Sequence, residues 1–339
     1  MDLKISIAMA TYNGAKYLQA QLESFVAQTE RPTELVVCDD RSTDETVSIL
    51  QRFSAAAPFS VRIYQNASNL GFVQNFARAI SLCGGDLIFL SDQDDVWLSH
   101  KLEIISDSFK ARDQPLVVIN DAELMDSDGE RLGITKSGQT RSAGSASEDM
   151  ITGCCTAFRA DLRSVVLPIP NDFGSHDEWI HGLARPIGKR TFLPEVLQLY
   201  RRHDANVSNS VTSKTHRISW RDRVVMRLHG TSTGYLRSKL ENNAHQIEML
   251  VTRLAERGAE LLDLAGLEED AAGMVLARLE MRKEFASKRM ELLGRSRVRR
   301  VGSVYRCWRS GQYAHAAGWK SALKDCLLRK DAEMSRREN

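Results

Sequence analysis

Between residues 5 and 121 the chain repeats one arrangement: a continuous apolar run of strand length, a stretch of helical character, then another apolar run. The runs are ISIAMAT (5–11), LVVCDD (35–40), VRIYQN (61–66), DLIFLSD (86–92) and LVVIND (116–121). Helices are expected over 15–28, 43–53, 71–83 and 100–112. The second would open on a hydroxyl cap and first-turn acids in Ser42-Thr43-Asp44-Glu45. A strand that is apolar at nearly every position must be covered on both faces. Such strands alternating with helices form βαβ units. The expected fold is therefore α/β, a mostly parallel sheet with helices on both faces.

The pattern changes further along. Residues 126–150 are polar, rich in Gly and Ser and without period, and read as a long loop of the kind that often acts as a lid. From Pro168 to Pro194 the chain reads as irregular, and after Pro194 it contains no proline. Leu236, Leu240, Ile247, Leu250, Val251 and Leu254 then fall near helical spacing, as do Leu276, Leu279, Phe285, Leu292 and Leu293. We expect an α/β domain over 1–212 and an α-helical region over 213–339. A length of 339 residues suits two domains, and 42% apolar residues exclude a disordered chain.

The net charge of +2 hides an asymmetry. Residues 1–205 carry 20 Lys and Arg against 28 Asp and Glu, and residues 206–339 carry 26 against 16. An acidic front half joined to a basic back half points to an anionic partner for the latter. The six cysteines form no C-x-x-C pair and no zinc spacing, so reduced thiols are expected. The opening MDLKISIAMATYNG lacks the basic residues and apolar length of a secretory leader. No stretch reaches the roughly 18 apolar residues of a membrane span. We expect a cytoplasmic protein, or one resting on the inner membrane face.

In an open parallel sheet, ligands bind beyond the carboxyl ends of the strands. Here the first strand ends in Thr11-Tyr12-Asn13-Gly14, the second in Asp39-Asp40, and the fourth in Ser91-Asp92-Gln93-Asp94-Asp95. Read singly, Asp39-Asp40 could cap a helix and Asp92–Asp95 could be a solvated turn. Together at neighbouring strand ends they argue for a site, because clustered carboxylates repel unless a cation or donor compensates. Two acids spaced by one residue can hold Mg²⁺ or Mn²⁺ through oxygen and leave positions for phosphates. No G-x-G-x-x-G or G-x-x-x-x-G-K-[ST] follows the first strand, against dinucleotide or P-loop chemistry.

The ordered segments IAMATYNG, LVVCDDRSTDET, NLGFVQNFARAI and FLSDQDDVWLSHKL resemble the family 2 glycosyltransferases, with their glycosyltransferase A fold, over about residues 3–205. Asp92–Trp97, His176-Asp177-Glu178-Trp179 and Tyr200–Asn206 bring the chain nearest to the bacterial rhamnosyltransferase-like group. The resemblance implies that Thr11, Tyr12, Asn13, Asp40, Asn75 and Asp92 bind the nucleotide sugar, Tyr12 stacking on the base and Asp40 accepting from a pyrimidine N–H. It implies that Asp94 and His203 hold Mg²⁺ or Mn²⁺ at the diphosphate, and that Asp177 is the general base. The family often has Glu-Asp before the base where this chain has His176-Asp177, so Glu178 stays beside Asp177 as a second carboxylate for that role. Gly153, Trp179 and Arg201 are carried as acceptor or donor contacts, although Trp97 and Trp179 read more readily as core or wall residues than as direct sugar contacts.

The function implied is inverting transfer of a sugar, L-rhamnose by family likeness, from a dTDP- or UDP-linked donor to an acceptor hydroxyl. The acceptor would belong to a bacterial surface polysaccharide such as O-antigen, or to a lipid-linked oligosaccharide. A nucleotidyltransferase and a noncatalytic sugar-nucleotide-binding scaffold stay as alternatives. In the basic half, Arg295, Arg297, Arg299, Arg300, Arg306 and Arg309 interleave with Tyr305 and Trp308, with Tyr313 and Trp319 following. Such a stretch suits an anionic membrane interface, a solvated bundle face or a homo-oligomer contact. No nucleic-acid-reading motif accompanies it, so no nucleic-acid partner is expected.

Overall fold

The computed structural model describes residues 3–111, 114–204, 206, 214–219, 222, 233–268, 270–316 and 318–328. They pack as two compact units, 1–218 with 260–267, and 219–259 with 268–339. The expected boundary between residues 212 and 213 lies outside the described residues.

The first unit opens with β1 (Ile5–Thr11), α1 (Ala15–Val26), β2 (Glu34–Asp39), α2 (Thr46–Ala56), β3 (Ser60–Gln65), α3 (Phe72–Leu82), β4 (Leu87–Ser91), β5 (Val96–Trp97) and α4 (Lys101–Phe109). It continues with β6 (Val117–Met125), β7 (Arg131–Thr135), α5 (Lys136–Ser142), β8 (Thr156–Arg159), α6 (Arg163–Val166), α7 (His176–Ala184) and β9 (Arg190–Arg201). The sheet order is β3-β2-β1-β4-β8-β6-β9-β5, with β7 on β6. β1 to β4 pair in parallel, as their continuous apolar runs demand. Ile5, Ile7 and Met9 pack with Leu18, Leu22 and Phe25 of α1 and with Leu102 and Ile105 of α4. Ser6 and Ala8, on the opposite face, are equally buried, and α3 lies against β1 and β2. Helices thus cover both faces.

The far half of the sheet is mixed. β8 is antiparallel to β4 and β6, β9 is parallel to β6, and the short β5 is antiparallel to β9. Neither β8 nor β9 stands out in the sequence. β8 is only four residues long, and β9 contains Pro194, which cannot donate to a ladder. The register to β6 jumps from Leu193 to Val196, so Pro194 and Glu195 sit in a bulge.

Three local expectations are corrected. α2 begins at Thr46, three residues late, because Asp39 accepts from the Ser42 N–H and hydroxyl and Asn13 Oδ1 accepts from the Thr43 N–H. Asp44 instead receives the Thr46 N–H. The segment 126–150 is no free lid: it holds β7, α5 and a 3₁₀ turn, Ser147–Asp149. The Asp121 carboxylate receives the Ser137 N–H and hydroxyl, and Glu123 pairs with Arg131. Within the stretch read as irregular, α7 starts on a Ser175 cap whose hydroxyl accepts from the Glu178 N–H at 3.3 Å.

The second unit is helical, as expected. It contains α8 (Thr233–Ala265, whose last turns belong to the first unit), α9 (Asp270–Leu293), α10 (Arg297–Arg309) and α11 (Trp319–Leu327). Phe285, Leu292, Val304, Cys307, Tyr313 and Ala322 make one core, and Leu236, Leu240, Ala286, Leu293 and Leu328 another. A buried Asp325 accepts two bonds from Arg289, both 2.8 Å, and one from the Tyr313 hydroxyl, also 2.8 Å. No helix among the described residues is long and apolar enough to cross a membrane.

Candidate active site

The carboxyl ends of β1 and β2 are tied together. Asp39 accepts the Thr11 hydroxyl at 2.9 Å, and the Asp40 N–H donates to Thr11 O at 2.8 Å. Asn13 takes a left-handed backbone, φ 48°, which lets its N–H reach the Ser42 hydroxyl at 2.9 Å. The Asp40 carboxylate, 2% exposed, accepts from Asn66 Nδ2 (2.6 Å) and the N–H groups of Leu70 (2.8 Å) and Gly71 (2.9 Å). Asn75, on α3, donates to Cys38 O and accepts from Asn66. Tyr12 stands out half exposed beside the exposed Asn13, its ring free to lie on a flat ligand.

The turn after β4 connects to β1 through Gln93. Its amide accepts from the Tyr12 N–H at 2.8 Å and donates to Tyr12 O at 3.0 Å, a two-point clamp on the residue that presents the ring. Gly14 is small for the same reason: a Cβ there would lie 2.2 Å from Gln93 Oε1. Asp94 Oδ2 meets His203 Nε2 at 2.7 Å and Asn206 Nδ2 at 3.3 Å, and Tyr17 packs on the His203 ring at 4.8 Å. Arg201, at the end of β9, donates its N–H to Asp95 and its Nε to Asp94 O, and its guanidinium lies over Tyr17.

Beneath the turn, Lys101 is 1% exposed. It donates to Cys154 O at 2.9 Å and to Gln198 Oε1, and lies over the Trp97 ring at 4.0 Å. Gln198 in turn donates to Asp95 Oδ2 at 3.0 Å. Burial, and then Asp94, push the Asp95 carboxyl up to about 7. Burial followed by Asp94, Asp95 and Asp177 raises Asp92 well above its ordinary value. Burial lowers Lys101 to about 8, although the neighbouring acids oppose this. One buried ammonium therefore faces several crowded carboxylates, the surroundings in which a further cation is favoured.

Asp177 lies in the first turn of α7, partly buried, while Glu178 beside it is exposed. Burial works to raise the Asp177 carboxyl, but His176, the Ser175 hydroxyl, His181 and the Glu178 N–H together hold it below its ordinary value. His176 stacks on Phe76 at 4.0 Å and presses on Gly153, where a Cβ would lie 2.7 Å from its Nε2. His181, fully buried, accepts from Arg190 Nε at 2.8 Å through Nδ1, so Nε2–H faces the Thr156 hydroxyl at 2.9 Å. Burial and then Arg190 drive His181 down to about 3, keeping it neutral.

Asp94 thus stands with His203, and Asp92 with Asp94, Asp95 and Asp177. Thr11, Asn13, Asp40 and Asn75 converge where β1, β2 and α3 meet. Three residues do not present free polar groups. Trp179 is fully buried, donating its indole N–H to Val166 O at 2.8 Å, so a saccharide contact is replaced by a core role. Arg201 is 6% exposed and braces backbone. Gly153 makes room for His176. The motif Tyr200–Asn206 includes residue 205, which lies outside the described residues. Gln93, Lys101 and Gln198 escaped sequence reasoning, since their roles depend on partners dozens of residues away. The one available signal was a lysine opening α4, where an acid would suit the helix dipole better.

Among the described residues, Asp92, Asp95 and Cys154 place one ligand atom each within 4.8 Å of one another. Cys154 suits a hard cation poorly, because burial raises its thiol well above the ordinary value and keeps it protonated. The oxygen donors of that group, Asp92 and Asp95, are of the type Mg²⁺ or Mn²⁺ takes, while Asp94 and His203 pair with each other and stand outside it.

The sequence profile of glycosyl transferase family 2 matches residues 6–167. An uncharacterized glycosyltransferase of Nostoc sp. is 30% identical over 227 residues, covering 63% of this chain and 69% of that protein. The chain belongs to the family 2 glycosyl transferases. This family 2 glycosyl transferase is also 35% identical over 99 residues to the dTDP-rhamnosyl transferase RfbG of Shigella flexneri, covering 28% of this chain and 34% of RfbG. Its fold is similar to that of S. aureus TarS 1-349 in complex with UDP, with a TM-score of 0.51 at 18% identity, covering 91% of this chain and 92% of that one. The glycosyltransferase A fold and a transferase activity on a nucleotide sugar follow.

Proposed function

We propose that the enzyme is an inverting, divalent-metal-dependent glycosyltransferase that moves L-rhamnose from dTDP-L-rhamnose to an acceptor hydroxyl. The acceptor belongs to a bacterial surface polysaccharide, such as O-antigen, carried as a lipid-linked oligosaccharide. The observation that carries the reading is the 2.7 Å approach of Asp94 and His203, 109 residues apart, at the turn whose Gln93 bonds the Tyr12 backbone. The name of RfbG supports rhamnose and dTDP; the UDP bound to TarS supports a pyrimidine diphosphate.

In this reading Tyr12 stacks on the base. The remaining lone pair of Asp40 Oδ2 takes the pyrimidine N–H, and Asn13 and Thr11 fix that loop. Asp40 is held for this by its three internal donors, and Asn75 positions the β1 and β2 ends. Asp92 and Asp94, with His203, hold Mg²⁺ or Mn²⁺, whose chemistry is to neutralise the charge growing on the departing diphosphate. Asp177, ionised at neutral pH, takes the proton of the acceptor hydroxyl as that oxygen bonds to the anomeric carbon. The bond from that carbon to the diphosphate breaks on the opposite face, so configuration inverts. Asp177 is partly buried and close enough to Asp92 to raise its carboxyl, whereas Glu178 is exposed, which favours Asp177 as the base.

A lipid-linked acceptor places the enzyme on the cytoplasmic membrane face, and α10 and α11 support this. Val298, Val301, Tyr305 and Trp308 form an exposed stripe on α10, as do Trp319, Leu323 and Leu327 on α11. Asp325, the single acid between Arg297 and Leu328, is wholly buried, so both helices offer only positive charge to a surface. Arg300 does not belong to this face: it is 2% exposed and donates to Leu328 O.

The test is a donor panel of dTDP-L-rhamnose, UDP-glucose, UDP-GlcNAc and GDP-mannose, with Mn²⁺, Mg²⁺ or EDTA. We expect metal-dependent release of dTDP, faster than that of the other diphosphates. Nucleotide binding without turnover of any donor would leave a scaffold. Release of pyrophosphate from dTTP and a sugar phosphate would instead make the protein a nucleotidyltransferase.

A further inference from the structure

In the helical unit a cleft of about 400 Å³ opens between α9 and α10, lined by Lys288, Arg295, Ser303, Arg306, Ser310 and Gln312, with Glu291 also on its wall. Its chemistry is one-sided. Arg295 Nη1 donates to the Ser303 hydroxyl at 2.9 Å, and Arg306 Nη2 donates to the same oxygen at 3.2 Å. The Ser303 hydroxyl passes its own proton to Arg299 O at 2.9 Å, so both of its lone pairs are taken by guanidinium groups. Lys288 Nζ is held on the rim by Gln312 Oε1 at 2.9 Å.

Among the described residues, neither Arg295 nor Arg306 has a carboxylate within salt-bridge distance. The pairs on neighbouring residues of the unit, such as Arg289 with Asp325, do not involve them. Glu291 is the only acid from Lys288 to Gln312. Two guanidinium groups drawn to one neutral oxygen repel each other, and an anion placed between their free N–H donors relieves that repulsion. Phosphate suits it, because guanidinium forks match phosphate oxygens and an ammonium adds a point charge.

We infer that this cleft is a phosphate-binding site, in which Arg295 and Arg306 grip the phosphate oxygens, Lys288 adds its charge and the Ser310 hydroxyl lies within the same walls. The inference is independent of the catalytic reading, since no residue of the first unit enters it. The same chemistry could be supplied by a phosphate held in a lipid headgroup or by a free phosphate in solution. The apolar stripe of α10 favours the headgroup, because one helix would then carry both an interface-seeking face and a headgroup grip.

The experiment uses the full chain in EDTA, which silences a metal-dependent diphosphate site. Inorganic pyrophosphate binding is measured by calorimetry, and sedimentation with phosphatidylglycerol–phosphatidylcholine vesicles is measured with and without pyrophosphate. The variants are Arg295→Gln with Arg306→Gln, and, as a charge-matched control on the same helix outside the cleft, Arg297→Gln with Arg309→Gln. All four side chains are exposed, so circular dichroism should match the wild type. We expect the cleft pair to weaken pyrophosphate binding about thirtyfold, each basic residue contributing roughly fivefold, and the control pair to change it less than about threefold. Competition by pyrophosphate for vesicles identifies the headgroup as the source. Pyrophosphate binding without competition identifies free phosphate. Selective loss of vesicle binding in the cleft pair, with no pyrophosphate binding at all, also supports the headgroup. Equal losses of pyrophosphate binding in the two pairs, a cleft pair unchanged in both assays, or wild-type protein that binds neither probe would overturn the site.

Discussion

The Gln93 clamp makes a sharp prediction through a residue that touches no substrate. Gly14 caps α1 with φ −103° and ψ 6°, a conformation alanine adopts without strain. The added Cβ would nevertheless lie 2.2 Å from Gln93 Oε1 and 2.8 Å from Nε2, so Gly14→Ala must expel the Gln93 amide. Both bonds to the Tyr12 backbone are then lost, 2.8 and 3.0 Å in the native chain. At about 0.5–1.5 kcal/mol each, the loss is about 1–3 kcal/mol. It should appear mainly as donor affinity, because the clamp orients an exposed loop and not the core. We expect the Kd for dTDP, measured by calorimetry with Mn²⁺, to rise roughly 5- to 150-fold, with Tm falling by no more than about 3 °C. Gln93→Ala should weaken binding similarly, and adding Gly14→Ala to it should change little, since the clash partner is gone. Additive effects in the double variant would show that Gly14 acts by another route and would refute the clamp.

Four further outcomes are expected. Asp94→Asn should abolish metal-dependent transfer at saturating Mn²⁺ while Tm stays near that of the wild type; undiminished turnover would remove Asp94 from the cation site. Asp177→Asn should cut turnover about 10²- to 10⁴-fold with donor Kd unchanged, whereas Glu178→Gln should do little, and the reverse order would move the base by one residue. His181 has a folded pKa of about 3, below the unfolded value near 6.5, so between these pH values the unfolded chain binds the extra proton and stability falls as pH falls. Urea denaturation should show about 1.4 kcal/mol per pH unit more acid sensitivity in the wild type than in His181→Gln; parallel curves would mean that His181 protonates in the fold. Replacing Tyr305 and Trp308 with Ser should release the protein from anionic vesicles with unchanged donor hydrolysis, and equal sedimentation would leave the stripe without a membrane role.

What could be read in the sequence was whatever one element expresses by itself. β1, β2 and β4 declare burial because their central positions are almost all apolar, and their last residues mark the site edge because a parallel sheet opens its ligand crevice there. Asp40, Asp92 and Asp94 were legible for that reason. Elements defined by distant partners were not. β8 and β9 exist through pairing with β6 and β4, and the Pro194 bulge hides the alternation of β9. α7 was masked by flanking Pro and Gly, although Ser175 followed by Asp177 and Glu178 is a helix start in its own right. Lys101, Gln198 and Asp95 form a network only once α4, β9 and the turn meet.

Arg300 is the instructive case, because the information was present and charge obscured it. Counted in the run Arg295–Arg309 it reads as surface. Placed on a helix it shares a face with Ser303, Val304 and Cys307, at spacings of three, four and seven, and all four are buried. The opposite positions, Val298, Val301, Tyr305 and Trp308, are the exposed ones. Periodicity therefore divides the run into a buried cation bonded to Leu328 O and an outward apolar stripe flanked by Arg297 and Arg309. It follows that neutralising Arg297 and Arg299 probes surface attraction, whereas neutralising Arg300 probes the fold of α10 against α11. A variant that joins them mixes two causes in one result.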